Sequence, residues 1–223
     1  MIAYKRIKNI TPVVEYLAER IVNNLHVGKQ VLWLVPGGSA KAIAIAVSKQ
    51  LQGKDLRLLT VSLTDERYGP VGHADSNWQQ LLDGGFDLPG AALVPVLEAN
   101  QDRSLTTEKY NDNLRGLLRH ADYTLGFFGI GPDGHTAGIL PHGPAVTAST
   151  YAAAYQGADY PRITMTPVAI SKLDEAVVYA VGEAKSPVID AFDETVPLDA
   201  QPAQALKQVP LLTICNDRKG EAV

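Results

Sequence analysis

The sequence predicts an α/β fold in three layers, a mainly parallel sheet with helices on both faces. Three observations predict it. Short apolar runs alternate with segments of helical periodicity along the chain. One run, residues 31–35 (VLWLV), is apolar without interruption, as in a strand buried on both faces. Polar, glycine-containing clusters follow several of these runs directly. In an open parallel sheet those strand ends form the ligand crevice.

In chain order, Thr11-Pro12 reads as an N-cap and first helical position. Val13, Val14, Leu17, Ile21 and Leu25 then form one apolar stripe. The strand at 31–35 runs into Pro36-Gly37-Gly38-Ser39, and a helix is expected over about 40–51. Residues 58–63 form a second strand, ending at Thr64-Asp65-Glu66-Arg67. Ser76 starts a short helix. Ser104 caps a longer one, with Leu105, Tyr110, Leu114, Leu117 and Leu118 facing inward. A strand over 123–130 breaks at Gly131-Pro132-Asp133-Gly134-His135. A proline-bearing loop is expected over 141–161, then strands over 162–165, 176–181 and 211–215, with helices after Pro167 and Glu183. No repeat or interdomain linker is evident, so residues 1–223 are read as one domain.

The chain of 223 residues is 46% hydrophobic and 20% charged, enough to bury a core without staples. Its net charge of −4, without any Lys/Arg run, argues against a nucleic-acid partner. Cys215 is the only cysteine, which fits a reducing compartment. No apolar stretch is long enough to span a membrane, and the first residues do not resemble a signal peptide. A cytoplasmic monomer or small homo-oligomer is expected. No metal-ligand spacing and no G-x-S-x-G elbow appear.

Gly37, Gly38 and Ser39 suit an anion, because glycines admit close backbone approach and the following helix offers unpaired N–H groups. The same residues also fit an ordinary tight turn with a serine cap. Arg67 is suited to bidentate phosphate binding, and Asp65 to sugar hydroxyls. Asp75 and Ser76 are better explained as caps. Residues 129–134 spell G-x-G-x-x-G. Pro132, Pro141 and Pro144, and the lack of a following strand that ends in an acid at the right distance, argue against a dinucleotide site. His135 is the candidate proton carrier, with Asp133 two residues away to orient it. His142, in Pro-His-Gly-Pro, reads as a surface residue.

Together these segments resemble the 6-phosphogluconolactonase and glucosamine-6-phosphate isomerase/deaminase superfamily. The resemblance rests on Pro36-Gly37-Gly38-Ser39, Thr64-Asp65-Glu66-Arg67, Asp75-Ser76-Asn77, Gly129 through Ala137, Arg162-Ile163-Thr164, and Gly182 with Lys185. It covers about residues 10–215. It implies the NagB/6-phosphogluconolactonase type of Rossmann-like fold. It also implies a phosphate pocket from Gly38, Ser39, Arg67, Arg162 and Lys185, with His135 as the water-activating base supported by Asp133. Asp65 would contact the sugar of a phosphorylated lactone, with no redox cofactor and no metal. The isomerase/deaminase branch carries a glutamate a few residues beyond the histidine. Leu140 stands at that place here, and an apolar side chain relays no proton. A sugar-phosphate sensor on this fold would have a DNA-binding segment and could lack the Asp133–His135 pair. Ala40-Lys41 replaces the family's usual Thr-Pro, and Gly138 stands where lactonases generally have serine.

Overall fold

In the computed structural model, which describes residues 2–223, eight strands lie side by side in one parallel sheet. The chain enters through β1 (Ile2–Arg6), crosses by α1 (Thr11–His26) to β2 (Val31–Val35), and by α2 (Lys41–Gln50) to β3 (Leu59–Leu63). β4 (Asp65–Arg67) leaves that sheet at once, and α3 (Asn77–Asp83) leads to the edge strand β5 (Ala92–Val94). α4 (Arg103–His120) returns the chain to β6 (Tyr123–Gly129). The hairpin of β7 (Ala152–Gln156) and β8 (Pro161–Met165) follows, then α5 (Pro167–Ile170), β9 (Glu175–Ala180), α6 (Ser186–Asp190), β10 (Leu211–Asn216) and β11 (Glu221–Ala222).

The strand order is β11-β1-β10-β9-β6-β2-β3-β5. From β2 the chain builds outward to β3 and β5, then jumps back to β6 and builds the other way. The direction reverses between β2 and β6, and the crevice of an open α/β sheet opens at such a reversal. Right-handed crossovers assign α1 to α3 to one face and α4 to α6 to the other. Consistent with this, α1 packs on α2 and α2 on α3. β2 is buried along its whole length, as its unbroken apolar run requires. Trp33, Phe127, Phe128 and Phe192 are among the largest fully buried side chains.

Several expectations are corrected. The residue cap of α1 is Ile10, and the Asn9 side chain accepts from the Thr11 N–H (2.9 Å). Asp102, not Ser104, caps α4 by accepting from the Leu105 N–H (2.9 Å), which leaves Leu105 exposed. The strand at Arg162 is not part of the parallel sheet. It is the centre of a second, antiparallel sheet ordered β4-β8-β7. β7 lies inside the stretch expected to be loop, and β1, β5 and β11 were not expected at all. Ser76 does cap α3, accepting from the Gln79 N–H (3.1 Å).

Candidate active site

Pro36-Gly37-Gly38-Ser39 leaves the end of β2 and Gly129 to His135 leaves the end of β6, so the reversal brings these two loops together. The small sheet forms the third wall. Its register sets Asp65 opposite Thr164 and Arg67 opposite Arg162. Side chains of directly paired residues share a face, and alternate residues along a strand return to it. Asp65, Arg67, Arg162 and Thr164 therefore share one face, and Glu66 the other. The resulting cleft holds about 170 Å³ and is lined by Gly37, Gly38, Ser39, Asp65, Arg67, Asn77, His135, Ala137 and Arg162, among others.

The β2 wall is backbone. Gly38 adopts φ +61°, in the left-handed region that glycine enters without strain. A Cβ on Gly37 would stand 2.1 Å from Asn77 Oδ1, so only glycine lets that turn pass the start of α3. Gly38 and Ser39 are exposed to the cleft and form the short turn that leads into α2.

The β6 wall carries the imidazole. His135 Nδ1 lies 2.6 Å from Asp133 Oδ1, and the His135 backbone N–H donates to the same oxygen (3.1 Å). Nδ1–H bonded to a carboxylate is the tautomer that leaves Nε2 with its lone pair. Burial works against the charged form of Asp133. The His135 N–H, charge and ring outweigh it and hold the carboxyl below its ordinary value. The loop is fixed from several sides. Gly131 N–H donates to the His135 carbonyl (2.9 Å), Thr136 Oγ1 to the Gly129 carbonyl (3.0 Å), and Ala203 N–H to the Gly134 carbonyl (2.9 Å). Tyr155 Oη donates to the Gly138 carbonyl (2.6 Å), and Gly138 N–H to Thr164 Oγ1 (3.0 Å). A Cβ on Gly138 would come 2.9 Å from Thr164 Cβ, so its glycine lets the histidine loop lie close on the small sheet. Ala137, two residues past the histidine, is held at φ +49°.

The third wall supplies charge. Arg67 and Arg162 are cross-strand partners, and like charges set opposite repel. Neither makes an ion pair among the described residues. Arg67 donates from Nη1 to the Asp75 carbonyl (3.2 Å), stacks its guanidinium on Tyr160 (5.3 Å to the ring centre), and keeps a buried Nε without a partner. Two adjacent guanidinium groups, neither within ion-pair distance of a carboxylate, are suited to a multiply charged anion. Burial pushes the Asp65 carboxyl up, opposed by Arg162, Thr64, Arg67 and His135.

Glu66 is taken up by the fold. Its oxygens accept from the N–H groups of Arg67 (2.7 Å), Asn77 (2.6 Å) and Trp78 (3.1 Å) and from Ser76 Oγ (2.9 Å), which seats a carboxylate on the first turn of α3. Lys185 does not line the cleft. It follows β9 in a short turn, half-buried, and desolvation lowers its pKa against the opposing charge of Asp217. Asn77 and Ala137 line the cleft without having been chosen from the sequence. Asn77 entered as part of the Asp75-Ser76-Asn77 segment that carries the resemblance, without a role of its own. His142 is exposed and bonded to Asp199 (2.6 Å). No group of metal-ligating side chains and no helix long and apolar enough to cross a membrane occurs among the described residues. No helix follows Gly134, as a dinucleotide fingerprint would demand.

Comparison with known proteins identifies the family of the chain. The family model for glucosamine-6-phosphate isomerases/6-phosphogluconolactonase matches residues 7–213. The chain belongs to this family. Among its curated relatives, a 6-phosphogluconolactonase from Synechocystis sp. is 28% identical over 87% of this chain and 80% of its own. One from Neisseria meningitidis is 30% identical over 69% and 74%. Solved structures share the fold of the isomerase/lactonase family. A 6-phosphogluconolactonase from Shewanella baltica superposes with a TM-score of 0.81 at 18% identity, covering 97% of this chain and 98% of that one. The enzyme of the same name from Thermotoga maritima gives 0.79 at 20% identity, covering 97% and 98%.

Proposed function

We propose that the chain hydrolyses 6-phospho-D-glucono-1,5-lactone to 6-phosphogluconate, the lactone step of the pentose phosphate pathway, with His135 activating the attacking water. The observation that carries the mechanism is the pairing of His135 Nδ1 with Asp133, which leaves Nε2 as a base in a cleft also lined by the guanidinium groups of Arg67 and Arg162. Arg67, Arg162, Gly37, Gly38 and Ser39 grip the phosphoryl group, and Lys185 adds positive potential from the neighbouring strand end. Asp65 accepts from a sugar hydroxyl. Nε2 takes a proton from water as its oxygen attacks the lactone carbonyl. Asp133 stabilises the imidazolium, which then returns the proton to the departing ring oxygen.

The curated relatives are lactonases by name, and Leu140, half-buried against the core, occupies the place where the isomerase branch needs a proton relay. A sensor role would leave the intact Asp133–His135 pair without a purpose. The test is to follow acid release from the δ-lactone, corrected for its spontaneous opening, beside ammonia release from glucosamine 6-phosphate. His135→Ala should lower lactone turnover about 10²- to 10⁴-fold with phosphosugar affinity retained. Deamination without lactone turnover, or full activity in the variant, sinks the proposal.

A further inference from the structure

Asn77 lines the cleft, yet the proposed chemistry gives it no task. Its backbone N–H donates to Glu66 (2.6 Å) and opens α3, while its side chain is 1% exposed. Nδ2 donates to the Asp65 carbonyl oxygen (3.0 Å) and to Asp65 Oδ2 (3.3 Å). Thr64 Oγ1 bonds the other carboxylate oxygen (3.2 Å). On its far side the amide abuts Gly37, where a Cβ would lie 2.1 Å from Oδ1. That Oδ1 is buried and has no hydrogen-bond partner. Buried carbonyl oxygens are nearly always satisfied. Satisfying Oδ1 therefore does not explain where this amide sits. Its place follows from what the Nδ2 bonds and the glycine contact achieve together.

We infer that Asn77 is a positioning residue, locking the Asp65 carboxylate to the Gly37-Gly38 turn so that the acidic wall and the anion cradle keep a fixed spacing. The inference rests on the lactonase reading. Asp65 is faced by Arg67 and Arg162 from β4 and β8, by Tyr155 from β7, by Tyr110 from α4 and by His135 from the loop after β6. Burial favours the neutral carboxyl, so each donor to the carboxylate counts toward keeping it charged. Removing Nδ2 frees Asp65 to rotate and lets it take a proton more readily.

Asn77→Asp keeps the volume and sets a second carboxylate beside Asp65, where two such groups share a proton. Asn77→Ser withdraws Nδ2, leaving a shorter hydroxyl in its place, without adding charge. Lactone kcat/KM is measured against pH for wild type and both variants, with melting temperatures alongside. The acid limb should move to higher pH by about one unit in Asn77→Asp and by less in Asn77→Ser. Near neutral pH the loss should be no more than about tenfold in the former, the most that a one-unit shift of a single group can cause. If Asn77→Asp does not fold, the serine variant decides. An acid limb unmoved in the folded variants overturns the inference, whatever happens to stability. A wild type that never exceeds spontaneous opening overturns the lactonase reading and the inference with it. An active wild type with unmoved variants overturns the inference alone.

Discussion

Gly131→Ala separates the position of the imidazole from its presence. A Cβ at residue 131 would lie 2.2 Å from both Cε1 and Nδ1 of His135 and 2.5 Å from Asp133 Oδ1. Ordinary carbon contacts begin at about 3.5 Å, so the ring must retreat by roughly 1.3 Å. The backbone at Gly131 lies outside the left-handed region, so alanine carries no conformational strain there. The imidazole and its carboxylate are 38% and 49% exposed, so they can swing aside without disturbing the core. A displacement of about 1 Å at a reacting group costs on the order of 10²-fold in rate, or about 2.7 kcal/mol of transition-state stabilisation. Steady-state hydrolysis of the lactone by Gly131→Ala should therefore fall about a hundredfold, with the melting temperature almost unchanged. The decisive comparison is the double variant. In a His135→Ala background the new methyl has no ring to displace, so its effect should vanish. If Gly131→Ala slows the His135→Ala enzyme as much as the wild type, ring clearance is not what this glycine provides.

Arg162→Ala should raise KM about tenfold to a hundredfold, the worth of one charge-assisted bond to phosphate, and leave kcat within a few-fold. Steady-state kinetics at low and moderate salt would show it, and an unchanged KM would remove Arg162 from the anion site. Arg20→Ala probes the opposite end of the sheet, where the fully buried Glu175 accepts from Arg20 Nε (2.7 Å), Tyr16 (2.7 Å) and Tyr123 (2.6 Å). Arg20 is 31% exposed and two tyrosines remain, so the loss should sit near the lower end for a broken buried pair, about 3 kcal/mol by urea unfolding. Its kcat/KM should match wild type, because Glu175 opens β9 at the rim away from the cleft. A catalytic defect would show that the two rims are coupled.

Much of the fold was legible because its central strands are buried on both faces and must be written as unbroken apolar runs. The strands that escaped notice have weaker signatures. β1 carries Lys5 and Arg6, β5 is three residues at an edge, and β7 is rich in alanine. The antiparallel sheet was invisible for a deeper reason, since pairing Asp65–Arg67 with residues 162–164 is a non-local decision that no short window records. The glycine turns and His135 could be read because their residue types answer local demands. Arg162 entered only through the resemblance, and the structure explains its place by its partner across the strand. Lys185 entered in the same way and stands outside the cleft wall. The role of Glu66 could not be read at all, because a carboxylate beside Asp65 and Arg67 looks catalytic until the helix seated on it is seen.

The hairpin that carries Arg162 turns at residues 157–160, with the Gly157 N–H bonded to the Tyr160 carbonyl (3.0 Å). A Cβ on Gly157 would lie 2.6 Å from that carbonyl oxygen, so this bend leaves no room for a side chain at residue 157. Side chains along a strand alternate between faces, so a slip of one residue between β8 and β4 would turn Arg162 and Thr164 to the reverse side and bring Ile163 opposite a neighbour of its former partner. The bend itself sets the register of β7 on β8, which places Tyr155 across from Arg162, so the meeting of the two guanidinium groups is decided by how β8 docks on β4 and not by the turn that precedes it.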